Sequence, residues 1–271
     1  MDYVFRRYAW HASYALPYDM RDTMWSDERA ARETRLAPSR LMLTHPWDLT
    51  PTQAVALQKQ LRAQLVLAPP AGFAPRTVAG ADVSMSRGSD RAWAGFVVLD
   101  ARSCAVVGTA VAEATLEFPY VPGLLSFREL PPLMAAWARL AERPDVVIFD
   151  GAGYAHPRRF GIACHGGLMF DVPSIGCAKT RLVGTHPDVP DEAGAVVPLE
   201  HRGEEVGAVV RLKARTKPLY VSPGHRMDIA TAVRVVVGMG RGYREPETTR
   251  AAHAAVNRAR QAGESLGDLQ G

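Results

Sequence analysis

Residues 146–151 of this chain read Val-Val-Ile-Phe-Asp-Gly. Four consecutive apolar residues between Pro144-Asp145 and Gly151 are too few for a helix, and too uniformly apolar for a strand that faces water on either side. A strand buried on both faces belongs inside a sheet covered by helices above and below. It ends on Asp150, and the chain then breaks into Gly151-Ala152-Gly153. In open α/β sheets, ligands sit beyond the carboxyl ends of the strands, so a carboxylate at that point is a site candidate. Glycines behind it let a bound molecule approach the backbone closely. The plainer alternative is that Asp150 caps a turn.

Three strand-like stretches precede this one, at 77–86, 92–100 and 104–118, separated by short Gly, Ser and Asp turns. The pattern predicts two hairpins, hence an antiparallel meander. Asp82 falls in the middle of the first strand. An unpaired carboxylate buried there costs several kcal/mol, so an Arg, a Lys or a metal ion belongs beside it. Upstream, Thr50 is placed to cap a helix with Pro51 at its first position, and Ala54, Leu57, Leu61 and Leu65 extend that helix to 67. Downstream of the meander, Pro119 and Pro122 stiffen a loop that presents Tyr120. Ser126 and Glu129 have the spacing of a capping box, a purely structural explanation for Glu129. Pro131-Pro132 argue against that box, because both would lie beyond the first turn of the helix. That helix is expected to run to 142.

After Asp150 we expect a glycine-broken helix over 159–170, and a short buried strand that enters a basic turn at Lys179 and Arg181. A surface loop over 183–204 and two strands at 206–212 and 218–221 come next. Asp228 caps a helix, and Pro246 opens a last one whose Ala252, Ala255, Val256 and Ala259 share a face. The tail from Gly263 is polar and expected to fray. Residues 1–44 differ from the rest, with Tyr3, Tyr8, Trp10, Tyr14, Tyr18 and Trp25 in a polar stretch without periodicity. They are expected to be an appended, poorly ordered extension, leaving a single catalytic domain over 45–262.

At 271 residues and 47% hydrophobic the chain can bury a large core. Its formal charge of +4 permits a polyanionic partner without requiring one. Cys104, Cys164 and Cys177 have no motif spacing, which suggests reduced thiols in a cytoplasmic protein. No apolar run reaches the ~20 residues needed to span a membrane.

Strands one and four can be neighbours in a mixed sheet, which would converge Asp82 and Asp150 with Glu129 nearby. Three carboxylates in one cleft repel unless a divalent cation joins them, and hard oxygen ligands favour Mg²⁺ or Mn²⁺. Such a site supports in-line attack of water on a phosphodiester, with Lys179, Arg158 and Arg159 available for the phosphate charge. His156, His225 and His253 have no tight ligand spacing, which disfavours zinc.

Seven motifs, in order, resemble the endonuclease V family of deoxyinosine 3′ endonucleases: Gly80-Ala-Asp82-Val-Ser, Pro119-Tyr120-Val-Pro122-Gly123, Phe127-Arg128-Glu129, Asp150-Gly151-x-Gly153-x-Ala155-His156-Pro157-Arg158, Ile175-Gly176-x-Ala178-Lys179-x-Arg181-Leu182, Ser222-Pro223-Gly224-His225, and Pro246-Glu247-x-Thr249-Arg250-x-Ala252-His253. The likeness spans 47–260. It implies an α/β fold of the ribonuclease-H-like type, with three antiparallel strands plus a parallel βαβ continuation, flanked by helices. It also implies Mg²⁺-dependent nicking of DNA at the second phosphodiester 3′ to deoxyinosine, with Mn²⁺ able to substitute, by a monomer.

The resemblance makes Asp82, Asp150 and Glu129 the metal-binding acids, with Lys179 and His253 as further catalytic residues. Tyr120 matches the wedge that holds the strands apart. Leu125, Gly151, Leu182, His156 and His225 are assigned to the substrate. Ala152 and Tyr154 depart from the family pattern and put the exact pocket shape in question. Inosine-containing RNA as substrate, or a non-cleaving inosine binder, are the alternatives.

Overall fold

The computed structural model describes residues 43–268; the expected N-terminal extension lies almost wholly outside them. Eight strands form one sheet: β1 Thr77–Met85, β2 Arg91–Asp100, β3 Val106–Thr115, β4 Val146–Phe149, β5 Ser174–Ala178, β6 Val196–His201, β7 Glu204–Val210 and β8 Leu219–Pro223. Their spatial order is β3-β2-β1-β4-β5-β8-β7-β6. The meander is antiparallel, β1, β4 and β5 run parallel, and β8, β7 and β6 return antiparallel. The mixed sheet expected from the sequence is therefore present, with β1 and β4 adjacent.

Among the described residues five α-helices accompany the sheet: α1 Pro51–Leu61, α2 Leu125–Trp137, α3 Ile162–Phe170, α4 Ile229–Gly238 and α5 Glu247–Asp268. Val146 and Ile148 of β4 pack with α4 and α5 residues such as Val233, Val236 and Ala252. Val147 and Phe149 pack with α2 and α3 residues such as Leu133, Trp137 and Phe170. Side chains alternate across a strand, so helices on both faces turn a period of two into an unbroken apolar run. Among the described residues no helix is long and apolar enough to cross a membrane.

Thr50 caps α1 as expected, in a reciprocal box with Gln53, and Asp228 caps α4 through the Thr231 amide. Several boundaries differ from expectation. α1 stops at Leu61 and passes into a 3-10 turn, Arg62–Gln64, short of 67. α2 begins at Leu125, so Ser126 lies inside it and no side chain caps it. Pro131 and Pro132 are carried in its interior, and it ends at Trp137 rather than 142. α3 starts at Ile162 because Arg159 has a left-handed φ of 58°, incompatible with a helix.

Residues 183–204 are not all loop. β6 lies within them, its Val197 and Leu199 buried and Pro198 between them. It turns into β7 through Arg202 and Gly203, both at positive φ (58° and 75°), as tight hairpins require. α5 continues past Gly263, where a tail was expected, because that glycine seats on the Trp93 indole of β2.

Candidate active site

Ala81 and Phe149 are the last paired residues of the parallel β1–β4 ladder. Asp82 and Asp150 therefore lie side by side where the parallel pairing ends, Asp82 still within β1 and Asp150 just past β4. Strand alternation turns both toward the face that α5 covers, along with Lys179 just past β5. The Asp82 carboxylate accepts from the Val83 amide at 2.9 Å on Oδ1 and meets His253 Nδ1 at 2.9 Å on Oδ2. Lys179 Nζ donates to Asp150 Oδ2 at 2.7 Å and lies 3.3 Å from Glu245 Oε2. The partner expected beside Asp82 is thus a histidine ring, and the ammonium goes to Asp150.

Glu129 comes from the first turns of α2, and among the described residues no hydrogen bond reaches its carboxylate. Burial, followed by the charges of Asp82 and Asp150, pushes it up to about 8, against a smaller opposing effect of Arg128. Burial and the Asp150 charge also raise Asp82, with His253 opposing. Burial works against the charge on Lys179, yet its bond to Asp150 and the charges of Asp150, Glu245 and Asp82 hold the ammonium above its usual value.

Asp82 and Glu129, both raised by burial and by neighbouring carboxylate charge, stand with Asp150 as an oxygen donor set with negative charge in excess, which fits a hard divalent cation. Among the described residues no three acids, histidines or cysteines are drawn together tightly enough to hold an ion as they stand.

Beside the acids opens a pocket of about 190 Å³. Its wall includes Leu125, Ser126, Gly151, Ala178 and Leu182, with Tyr120 and His156. Gly151 follows Asp150, Ala178 precedes Lys179, and Ser126 lies one turn before Glu129, so the pocket shares chain segments with two of the acids and with Lys179. Tyr120 is 71% exposed on the loop before α2. The Gly123 carbonyl anchors that loop by accepting three donors: Arg158 Nη2 at 2.7 Å, His156 Nε2 at 2.9 Å and Gln58 Nε2 at 3.1 Å. Gly123 has φ +79°, and a side chain there would press on Arg158.

Five of the six residues assigned to the substrate, Tyr120, Leu125, Gly151, His156 and Leu182, line this pocket. His225 does not. It is buried behind β5, its amide bonded to Ser174 Oγ and its ring near the Val66 amide. Arg158 and Arg159 are not free for phosphate either. Arg158 holds Gly123 and Gln58, while Arg159 is buried against Glu204 and His201. The glycines after Asp150 serve the protein's own packing. A side chain at Gly153 would strike the Pro223 carbonyl, and one at Gly176 would strike the Gly153 amide.

The sequence reading missed Gln58, Glu245 and Asn257. Only Asn257 carried a signal, at the i+4 position from His253 on one helix. The Ser126–Glu129 box is absent, as Pro131 and Pro132 argued, and the Ser126 hydroxyl bonds His165 Nδ1 instead, at 3.0 Å.

Comparison with known proteins agrees with this arrangement. A family model described as Endonuclease V matches residues 59–254. An endonuclease V from Myxococcus xanthus is 58% identical over 224 residues, covering 83% of this chain and 95% of the relative. One from Gloeobacter violaceus is 48% identical over 240 residues, covering 86% and 97%. The crystal structure of endonuclease V from Streptomyces avermitilis superposes with a TM-score of 0.76 at 39% identity, over 82% of this chain and 98% of its own. In fold, the chain also resembles Ciona intestinalis endonuclease V, solved with a 24mer DNA containing an inosine followed by a ribo-adenosine (TM-score 0.68, 24% identity, 78% and 98% covered). Motif order, sheet topology and near full-length similarity together show that the chain belongs to the endonuclease V family of nucleases.

Proposed function

We propose that this nuclease is a divalent-metal-dependent DNA repair endonuclease that nicks DNA at the second phosphodiester 3′ to deoxyinosine. The observation that carries the reading is the grouping of Asp82, Asp150 and Glu129 beside a pocket whose rim carries an exposed Tyr120. The inosine-containing DNA bound by the Ciona relative supports it. Asp82, Asp150 and Glu129 would hold Mg²⁺, with Mn²⁺ able to substitute. When bound, the ion supplies an activated water and neutralises charge on the phosphodiester.

The protein's own groups do the rest. His253 orients Asp82. Lys179 carries a proton on Nζ and places positive charge where the phosphate arrives. Leu125, Gly151 and Leu182 form the walls of a slot for an everted base, and the Gly123 anchor holds the Tyr120 loop rigid. Cys164 and Cys177 are buried free thiols, which supports a reducing, cytoplasmic setting.

The test is incision mapping on end-labelled duplexes containing a single deoxyinosine, with Mg²⁺, with Mn²⁺ and with EDTA. Metal-dependent cleavage at the second 3′ phosphodiester is expected, and intact duplex under all conditions would defeat the reading. Matched RNA strands belong beside the DNA, since the Ciona relative's bound strand carries a ribo-adenosine after the inosine. Binding in EDTA with no cut on metal addition would instead mark a non-cleaving inosine reader.

Tyr120→Ala should slow nicking of duplex about 5- to 150-fold, because a stacked ring contributes about 1–3 kcal/mol and base extraction itself costs a few kcal/mol. Inosine in a single strand, already unstacked, should lose far less. Equal losses on both substrates would remove the wedge role.

Metal binding requires Glu129 to release its proton. Since that group is raised to about 8, Mn²⁺ affinity should climb with pH from neutrality to about 8 and then level off. A flat affinity between pH 6 and 8.5 would exclude Glu129 from the ligand set.

A further inference from the structure

Asp82 and Ser84 share one face of β1, with Ser86 just past its end, and His253, Asn257, Arg260 and Glu264 share one face of α5. The two rows interlock. His253 Nδ1 lies 2.9 Å from Asp82 Oδ2, and Asn257 Nδ2 lies 2.9 Å from His253 Nε2. Ser84 Oγ lies 2.7 Å from Asn257 Oδ1, and Arg260 Nε lies 3.1 Å from Ser84 Oγ. Arg260 Nη1 pairs with Glu264 at 2.8 Å, and the Ser86 hydroxyl donates to the same carboxylate.

Each proton in this row has one place to go. The Arg260 guanidinium only donates, so Ser84 Oγ accepts from it and gives its own proton to Asn257. The Asn257 atom that receives it is the carbonyl oxygen, which leaves the amide NH₂ facing His253 as a donor. His253 Nε2 then presents its lone pair, and the ring proton sits on Nδ1, where only a carboxylate waits. Reversing the amide would place the Asn257 carbonyl against the Nε2 lone pair and leave the Ser84 proton with no acceptor in the row.

The geometry points to Asn257, set by Ser84 and Arg260, as the positioning residue that keeps the His253 proton on Nδ1 and thereby aims Asp82 at the metal site. Asp82 is held at both oxygens, by the Val83 amide and by His253, so its orientation depends on a ring that is itself exposed at 58% and, among the described residues, meets only Asn257 at its other nitrogen. Outer partners of this kind fix ring tautomer and ligand direction in metal sites. The inference rests on the metal reading under Proposed function for its consequence, but not for the tautomer.

Two measurements on the full chain test it. In metal-free protein with ¹⁵N-labelled histidine, the His253 signals, assigned by their loss in His253→Gln, should show a protonated Nδ1 and an unprotonated Nε2. Asn257→Asp, which can only accept, should bring a proton onto Nε2. An Nε2-protonated ring in the wild-type protein overturns the proposal.

Mn²⁺ titration by electron paramagnetic resonance should show a 10- to 100-fold weaker site in Asn257→Ala and in Ser84→Ala, with kcat reduced and KM for DNA unchanged. Wild-type Mn²⁺ affinity in both variants also overturns it, and Ser84→Ala carries the test if Asn257→Ala does not fold. A wild-type protein that binds no Mn²⁺ would count against the metal reading, while the ring spectrum judges the relay separately.

Discussion

Glu129→Gln is expected to melt about 5–10 °C above the wild-type protein in the absence of divalent metal, and to nick inosine-containing DNA more than a hundredfold more slowly. The wild-type carboxyl is raised from 4.5 to about 8 by burial and by the Asp82 and Asp150 charges. The folded protein therefore keeps this proton to a higher pH than the unfolded chain does. Below about 4.5 both states hold it and Glu129 has no cost. Between about 4.5 and 8 the unfolded chain releases it first, so the folded state is progressively disfavoured, and above about 8 the cost is constant. Near neutrality it amounts to about 3 kcal/mol at most, which for a domain of this size corresponds to the stated melting shift.

Glutamine has no proton to lose, so the stability gap between variant and wild type should open from pH 5 to pH 8 and close at pH 4. The activity loss has a separate origin. Even partners that only orient metal ligands contribute 10- to 100-fold, and Glu129 is proposed as a ligand itself. Paired calorimetry and nicking assays check both halves. A variant melting below wild type at pH 8 would mean that the three acids do not strain one another.

The second large effect is expected at a residue with no chemistry. Gly80 sits in β1 two positions before Asp82, beneath the start of α5, and a β-carbon there would collide with the Thr248 carbonyl. Backbone cannot rotate aside as a long side chain can, so Gly80→Ala must lift α5 from the sheet, at about 1–3 kcal/mol or more. The lift also withdraws His253 from Asp82, a bond of 2.9 Å in the native protein. Both melting temperature and Mn²⁺ affinity should fall together.

Gly108→Ala in β3 is the control. Its added carbon would lie 3.6 Å from the Val98 side chain, an ordinary contact, and the change should stay within about 0.5 kcal/mol. If Gly80→Ala melts like Gly108→Ala, α5 does not rest on β1 as described.

Gly80 also marks the boundary between what can be read along the chain and what cannot. The strand at 146–149 was legible because helices on both faces leave a signature in composition alone, an unbroken apolar run. The acids at Asp82 and Asp150 were legible because a carboxylate within or ending such a strand is costly without a purpose. Tyr120 was legible because prolines on either side of an aromatic residue stiffen it whatever the surroundings. The half-buried strand β6 was not, because Pro198 interrupts its alternation and its hairpin turns on Arg202 and Gly203 rather than on a stronger turn pair.

What local sequence determined, then, was the elements, their approximate limits and the charged groups at their ends, since period, capping and turn chemistry act over a few residues. Only the tertiary structure decided which charges face which. It gave Lys179 to Asp150 and Glu245, and His253 to Asp82. It took Arg158 away from any phosphate to hold Gly123, and it sent His225 behind the sheet. Those pairings join residues up to 171 positions apart. They depend on how closely a helix can approach a strand glycine, a distance that appears only when the chain is packed.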